Sequence, residues 1–432
     1  VTTEQCECTA FRSGMHASIE RGKFLTAMKP LPIVSCLQPR GCTYEQRVAT
    51  LQGAMKDSTP IGQTASVDEL CRWLQCESPS TAVDGVNRMM DLVVEKVRGT
   101  SISIERLPGH SGAGDIVILR SRPEDETRNA PILLLSHLDT VHQVGSVRTS
   151  MPIVQRDDRL FGPGVSDMKG GAYLGLTAML EVVRRETARR PITYVFTSDE
   201  EIGSPTSRPV IEKEAAKAAF ALVTEAARPD GSIVTARCGV GRFKVGITGT
   251  AAHAGRWEDC GQSAISEAAR QIVAIDAMSD HSQGVKLTIG TIGGGSAENV
   301  IPANAEFSID LRFADAAKGA AIAAQLKALR SEHAGISISV AGGINRPGYA
   351  RTEAIDTLFG HAHALAAEIG FELRQAPIAG GASDANFTAA LGIPTLDGLG
   401  IVGGGGHTAQ EYGLISSLKP RGMLLERLLE TL

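Results

Sequence analysis

Seven side chains of the types that bind metals or move protons lie far apart in this chain, yet each falls where an apolar run or a glycine turn ends. His137 and Asp139 follow the run Ile132, Leu133, Leu134, Leu135. Residues two apart in a strand face the same side, so this imidazole and carboxylate can share one site, although a strand simply running out into a polar loop would look the same. Glu200 and Glu201 follow PITYVFTS (191–198), and Glu225 closes AFALVTEA (219–226). Asp167 stands just before a helix entered through Gly170 and Gly171, and His407 follows four glycines, 403–406. Carboxylates gathered at one edge repel each other and raise each other's pKa values. One or two divalent cations remove that conflict. A mixed imidazole and carboxylate set suits zinc, and also manganese or cobalt. The lack of cysteine in the set fits a catalytic site better than a closed structural one.

The elements that must position these groups alternate. Helical spacing covers 67–76, 83–97 and 169–189, and strand patterns cover 116–121, 131–137, 191–198 and 219–226. The alternation predicts an α/β fold, a mixed sheet with helices on both faces. Ligand sites of such sheets lie beyond the carboxyl ends of the strands, where all these acids and histidines fall. The pattern then changes. Strands at 241–249, 285–293, 305–313 and 336–342 interleave with helices at 263–278 and 316–331, in the β-α-β-β-α-β order of a ferredoxin-like unit. We therefore expect a first domain in two pieces, 61–235 and 348–432, interrupted by an inserted domain at 236–347. The second piece holds a helix at 353–369, the loop GGASDAN (380–386), a short strand near 393–396, the loop GGGGH (403–407) and a final helix from about Ser416.

Bulk properties narrow the function. The chain has 432 residues, 43% of them apolar and 21% charged, with a formal net charge of −5. This is globular composition with no basic patch, so neither nucleic acid nor a membrane surface is an expected partner. No apolar run approaches a membrane span. VTTEQCECTAFRSG at the start lacks a signal-peptide core, which predicts a cytoplasmic protein. Residues 1–60, broken by Pro30, Pro32, Pro39 and Pro60, read as a disordered or non-essential extension. Cys6, Cys8, Cys36, Cys42, Cys71 and Cys76 fall early, but their spacing fits no paired Cys-x-x-Cys zinc pattern.

Eight segments in order carry a family likeness: SHLDTV (136–141), GPGVSDMKGG (162–171), TSDEEIGS (197–204), TEA (224–226), GTAAHAG (249–255), ENVIPANAEFSIDLR (298–312), GGASDA (380–385) and GGGGHTAQEY (403–412). The chain resembles the co-catalytic zinc peptidases and amidohydrolases. That family includes carboxypeptidase G, to which this chain looks most similar, with aminoacylase, acetylornithine deacetylase and succinyl-diaminopimelate desuccinylase. The resemblance implies two divalent ions, zinc being the expected metal. His137 and Glu225 would serve one ion, Glu201 and His407 the other, and Asp167 both. Asp139 would orient the His137 imidazole. Glu200 would be the general base that activates a water lying between the metals, then protonates the leaving nitrogen. A cis peptide is expected after Asp167. In the insert, Arg312 would grip a substrate carboxylate, with Asn299 beside it. His253 would reach the active site of a second copy, which implies a homodimer formed through the inserted domains.

Two features depart from carboxypeptidase G. The stretch EAARPDGSIVTARCG lacks the lysine associated with glutamate recognition, and Arg237 is the next cation along. Trp257 stands where relatives carry smaller residues, at either an aromatic pocket or a subunit contact. His142 matches no ligand and reads as a loop residue at the site entrance. His361 and His363 lie two apart on a helix and cannot chelate together. GGGGH lacks the Lys-Ser/Thr ending of a phosphate loop. The leading reading is hydrolysis of a peptide or acyl-amino-acid C–N bond in a small carboxylate-bearing substrate. The alternatives are an aminohydrolase of an anthranilate-like aromatic amine and a non-catalytic binding protein on the same scaffold.

Overall fold

A computed structural model describes residues 66–122, 129–256 and 260–432. The expected extension at 1–60 and Trp257 lie outside the described residues. Six strands form the main sheet, in the order Ser103–Leu107, Ile116–Arg120, Ile192–Thr197, Ile132–His137, Phe220–Val223, Thr395–Leu396. The last four run parallel and the first two are antiparallel, giving the mixed sheet that was expected.

The central strands are unbroken apolar runs because both faces of the sheet are covered. Every residue of Ile132–His137 and of Ile192–Thr197 is buried. Along the first of these, alternate side chains enter different cores. Ile132 and Leu134 pack with Met89, Leu174, Leu365 and Leu425 from the helices Val83–Val97, Gly170–Arg185, Glu353–Ile369 and Leu418–Thr431. Leu133 and Leu135 face the other way, onto Ile211 of the helix Arg208–Ala215 and Phe387 of the helix Ala385–Ala390. Held from both sides, the strand has little freedom at its carboxyl end, where His137 sits.

Three features escape the sequence patterns. Ser103–Leu107 is an edge strand with four of its five residues exposed, so it lacks an apolar face to detect. The helices Arg208–Ala215 and Ala385–Ala390 span only eight and six residues. A small four-stranded sheet joins Val154–Arg156, Arg159–Phe161, Tyr412–Leu414 and Gly403–Gly404, in strands of two or three residues.

The insert follows the expected β-α-β-β-α-β plan: Gly239–Thr248, helix Ala264–Asp276, Val285–Gly294, Asn304–Phe313, helix Ala316–Lys327 and Ser337–Arg346. Its antiparallel sheet has the order 285–294, 304–313, 239–248, 337–346. Phe243, Val245, Ile247, Phe307, Ile309 and Leu311 alternate with more exposed neighbours, and together with Ala268, Ile275 and Leu326 of the helices they make a separate core. Among the described residues no helix is long and apolar enough to cross a membrane.

Candidate active site

Three neighbouring parallel strands end at the site. Ile132–His137 lies between Ile192–Thr197 and Phe220–Val223, so adjacent strand ends deliver His137, the Glu200–Ile202 turn and Glu225. Strands roughly 4.8 Å apart put such ends within a metal's reach of one another. Asp167 comes from the irregular turn Val165–Lys169 that leads into the helix Gly170–Arg185. That helix begins hard against the third strand's end: a Cβ on Gly171 would lie 1.7 Å from the Thr224 carbonyl oxygen, so only glycine fits. The peptide bond between Asp167 and Met168 is cis, as expected. His407 leaves the glycine loop with φ of +64°, a left-handed conformation that points the chain back towards Asp167.

The ligand atoms meet closely. His137 Nε2 lies 3.1 Å from Asp167 Oδ1 and 3.7 Å from Glu225 Oε1. His407 Nε2 lies 3.1 Å from both Asp167 Oδ2 and Glu201 Oε2. Asp167 thus shows one oxygen to each imidazole. His137 is buried while the His407 side chain is 55% exposed, so one half of the cluster belongs to the core and the other to the surface.

Asp139 does more than orient an imidazole. His137 Nδ1 lies nearest the Asp139 main-chain carbonyl, at 3.0 Å, with the carboxylate oxygen Oδ1 at 3.5 Å. The carboxylate accepts the backbone N–H groups of Glu200 and Glu201, each at 3.1 Å, and the Ser80 hydroxyl at 2.7 Å. It therefore ties Glu200 and Glu201 to the strand that carries His137.

Burial and crowding set the charges of this cluster against one another. Burial raises Glu225 well above the ordinary carboxylate range, the opposing charge of His137 notwithstanding. Burial pushes Glu200 up to about 8, against the pull of Arg346 and His137. Glu201 is also raised by burial. Burial disfavours the charged form of His137, but its bonds to Asp139 and Asp167 outweigh this and lift it well above the ordinary imidazole range. Bonds to Asp167 and Glu201 raise His407 to about 10. The same two imidazoles hold Asp167 well below its usual range despite burial. Protons here do what a divalent cation would do. Glu201 Oε1 adds a second sign: it is buried and has no hydrogen-bond partner among the described residues. An orphaned carboxylate lone pair beside two imidazoles and two further carboxylates fits a metal. The ligand atoms of His137, Asp167 and Glu201 lie within 4.8 Å of one another.

Residues 133–431 match Peptidase family M20/M25/M40. The chain belongs to this family. It is 32% identical over 308 residues to carboxypeptidase G2 of Pseudomonas sp. (strain RS-16), a stretch covering 69% of this chain and 73% of that protein. The aminopeptidase PepT of Bacillus cereus ATCC 10987 shares the fold at TM-score 0.67 and 22% identity, over 84% of this chain and 97% of its own. A dinuclear metal-binding M20 peptidase of Bacillus subtilis does so at TM-score 0.61 and 15% identity, over 84% and 97%. As an M20 peptidase the chain is a carboxypeptidase-like, metal-dependent hydrolase acting on peptide or amide bonds.

The M20 insert supplies its expected groups unevenly. Arg312 pairs with Asp310 at 2.6 Å and reaches the Gly380 carbonyl at 3.4 Å, beside the GGASDA loop. His253 and Asn299 are exposed; His253 pairs with Val300 in the short ladder of Ala252–His253 and Val300–Ile301, and the carbonyl of Asn299, which precedes Val300, accepts the Ala254 N–H. Among the described residues, no hydrogen bond or ion pair links either of them to the imidazole–carboxylate cluster. Arg237 does not replace the missing lysine. It is buried, with its Nε donating to Asp397 at 2.7 Å and its Nη1 to the Gly381 carbonyl at 2.9 Å.

Three residues of the site, Glu411, Arg346 and Asp384, were not singled out in the sequence. Glu411 is fully buried and accepts the N–H groups of Gly164, Ser166 and Asp167, fixing the turn that carries Asp167. His142, which follows the first motif in a loop, has its Nε2 2.8 Å from Glu411 Oε2. Arg346 donates to Glu200 Oε1 and to Asp384 Oδ1, each at 2.8 Å. Glu411 and Asp384 lie inside motifs already quoted, so an acid in those motifs without a metal role was the available signal. Arg346 stands in the Asn345–Arg346–Pro347 stretch that marks the end of the insert and carried no such signal. The histidines of helix Glu353–Ile369, expected not to chelate together, make separate bonds: His361 meets Thr431 and His363 the Leu373 carbonyl.

Proposed function

We propose that the chain hydrolyses the C–N bond of a peptide or acyl-amino acid bearing a free carboxylate, using two divalent metal ions, with zinc the expected metal and manganese or cobalt as substitutes. His137, Asp167 and Glu225 would hold one ion, and Asp167, Glu201 and His407 the other. The observation that carries this reading is the position of Asp167, with one oxygen 3.1 Å from each imidazole. When bound, the ions supply Lewis acidity to a water and to the substrate carbonyl.

The chain's own residues do the rest. Glu200, made a stronger base by burial, takes a proton from the attacking water as the water oxygen bonds to the carbonyl carbon. As the C–N bond breaks, Glu200 returns that proton to the leaving nitrogen, so the carboxylate is regenerated. Arg312 binds the substrate carboxylate from the insert side. Its pairing with Asp310 holds the guanidinium at the margin of the GGASDA loop. With Arg237 engaged by Asp397, it is not available to a second carboxylate on the substrate side chain, so glutamate is not the favoured leaving group.

In this reading, catalytic pieces 61–235 and 348–432 flank an insert at 236–347, and two copies associate through the insert. Support for association comes from the strand Val285–Gly294, at the edge of its sheet among the described residues, where Ile292 is 61% exposed, and from Val273, 72% exposed on the neighbouring helix. A cytoplasmic location belongs to the same reading and rests on composition. The test is Glu200→Gln, assayed on acyl-amino acids and dipeptides. It should retain metal and lose turnover by about 10²–10⁴-fold. Near-normal turnover would sink the base assignment, and release of ammonia from aryl amines without acyl cleavage would sink the substrate class.

A further inference from the structure

Arg346 is the last residue of the insert's final strand, yet its side chain lies in the catalytic centre. The strand Ser337–Arg346 pairs with Gly239–Thr248 in regular register until Ile344, and the register then shifts so that Arg346 opposes Val240. Such bulges re-aim a side chain. Here the guanidinium is turned inward and its side chain is 4% exposed. Nη2 donates to Glu200 Oε1 at 2.8 Å, to the Glu200 carbonyl at 3.1 Å and to the Ser204 hydroxyl at 2.9 Å. Nη1 donates to Asp384 Oδ1 at 2.8 Å. Asp384 is held in turn by Thr197 and Ser204. The ring of Phe387 lies 4.8 Å from the Arg346 guanidinium carbon and 4.9 Å from that of Arg208.

We infer that Arg346 is a positioning residue that sets which oxygen of Glu200 exchanges the proton and ties that choice to the placement of the insert. This rests on the reading of Glu200 as the base. The fork engages Oε1 only, and Oε2 has no hydrogen-bond partner among the described residues. A base with one oxygen anchored and one open keeps a single approach direction for the water. The anchoring group belongs to the insert's last residue. Its neighbour Asn345 donates to the Gly203 carbonyl at 2.9 Å, and Arg208 returns a bond to the Asn345 carbonyl at 3.1 Å. The strand that ends the insert is thus clamped on the turn that presents Glu200. Arg312 lies in the same antiparallel sheet, so one rigid sheet carries both the guanidinium proposed for the substrate carboxylate and the one that anchors Glu200.

The plain alternative is a buried ion network that only holds the fold. The two are separated by measuring Arg346→Lys in the native enzyme and in the Glu200→Gln enzyme, both reconstituted with zinc. Lysine keeps the charge and loses the fork, so it limits the folding penalty; metal content and thermal unfolding check each variant. If Arg346 acts through Glu200, Arg346→Lys lowers kcat at least tenfold with KM changed less than threefold. In the Glu200→Gln enzyme the same substitution changes residual kcat less than twofold. Equal losses in both backgrounds, or no loss in the native one, would overturn the inference. Arg346→Met combined with Glu200→Gln removes both charges together and repeats the second arm should lysine disturb folding. Full activity of Glu200→Gln alone would instead defeat the base assignment and is read independently of either Arg346 variant.

Discussion

In the main sheet, the strands at 132–137 and 192–197 are buried throughout, and their acids and imidazole appear only where the strands end. In the insert's sheet, buried and more exposed residues alternate, and Arg242, Lys244, Glu306, Asp310 and Arg312 sit within the strands. A sheet covered on both faces has nowhere to put charge except its edge, so charge collects there. A sheet covered on one face can scatter charge along the other, and those groups pair locally, as Lys244 does with Glu306 and Arg312 with Asp310. The first arrangement makes a rigid, high-charge site. The second makes a surface whose groups are free to meet a substrate or another chain. In the proposed function, catalytic geometry is therefore a property of the main sheet, and substrate recognition of the insert.

The largest effect that would break this contrast lies on the Asp167 turn. Glu411→Gln keeps one acceptor but turns an amide N–H₂ towards donors that Glu411 now serves. We expect metal affinity to fall by about 10–100-fold, measured by chelator competition, with the fold intact. Unchanged affinity would mean the turn is fixed by other means. Next, Arg312→Met should raise KM by about 10–100-fold, a loss on the scale of a charged hydrogen-bond pair, and leave kcat nearly unchanged. On the same substrate with its carboxylate amidated, the substitution should make little difference. A fall in kcat equal to the rise in KM would place Arg312 in the chemistry and erase the division between the sheets.

The smallest effect concerns stability. Glu214 is buried; burial alone would raise its pKa, but its bonds to Arg120 and Lys217 outweigh this and lower it. A depressed acid adds stability above its unfolded pKa and loses it as pH falls through the folded value. Glu214→Gln should cost about 1.5–3 kcal/mol at pH 7 by denaturant unfolding, with the gap from wild type closing as pH drops below about 4. Lys244→Ala, on the exposed pair of the insert, should cost under about 1 kcal/mol. Equal costs would remove the energetic side of the comparison.

The seven clustered side chains were legible because each interrupts an apolar or glycine run at a strand end or turn, a local pattern. The insert's plan was legible from strict alternation. What could not be read depends on distant partners. Glu411 meets Ser166 across 245 residues and Arg346 meets Glu200 across 146, and neither residue type announces its target. Spacing put Asp139 on the same side as His137, and the family resemblance gave it an orienting role there, but neither reveals that its carboxylate also receives the Glu200 and Glu201 backbone. Ser103–Leu107 was invisible because an exposed edge strand has no buried face.

The central claim is that the edge of the main sheet holds two metal ions that His137, Asp167, Glu225, Glu201 and His407 share. The most direct measurement is calorimetric titration of the metal-free protein with zinc, with hydrolysis of an acyl-amino acid followed in parallel. The account predicts two equivalents per chain and turnover appearing as they bind, with His407→Ala reducing the count to one. Two sites unaffected by that substitution, or full activity with no bound metal, would contradict it.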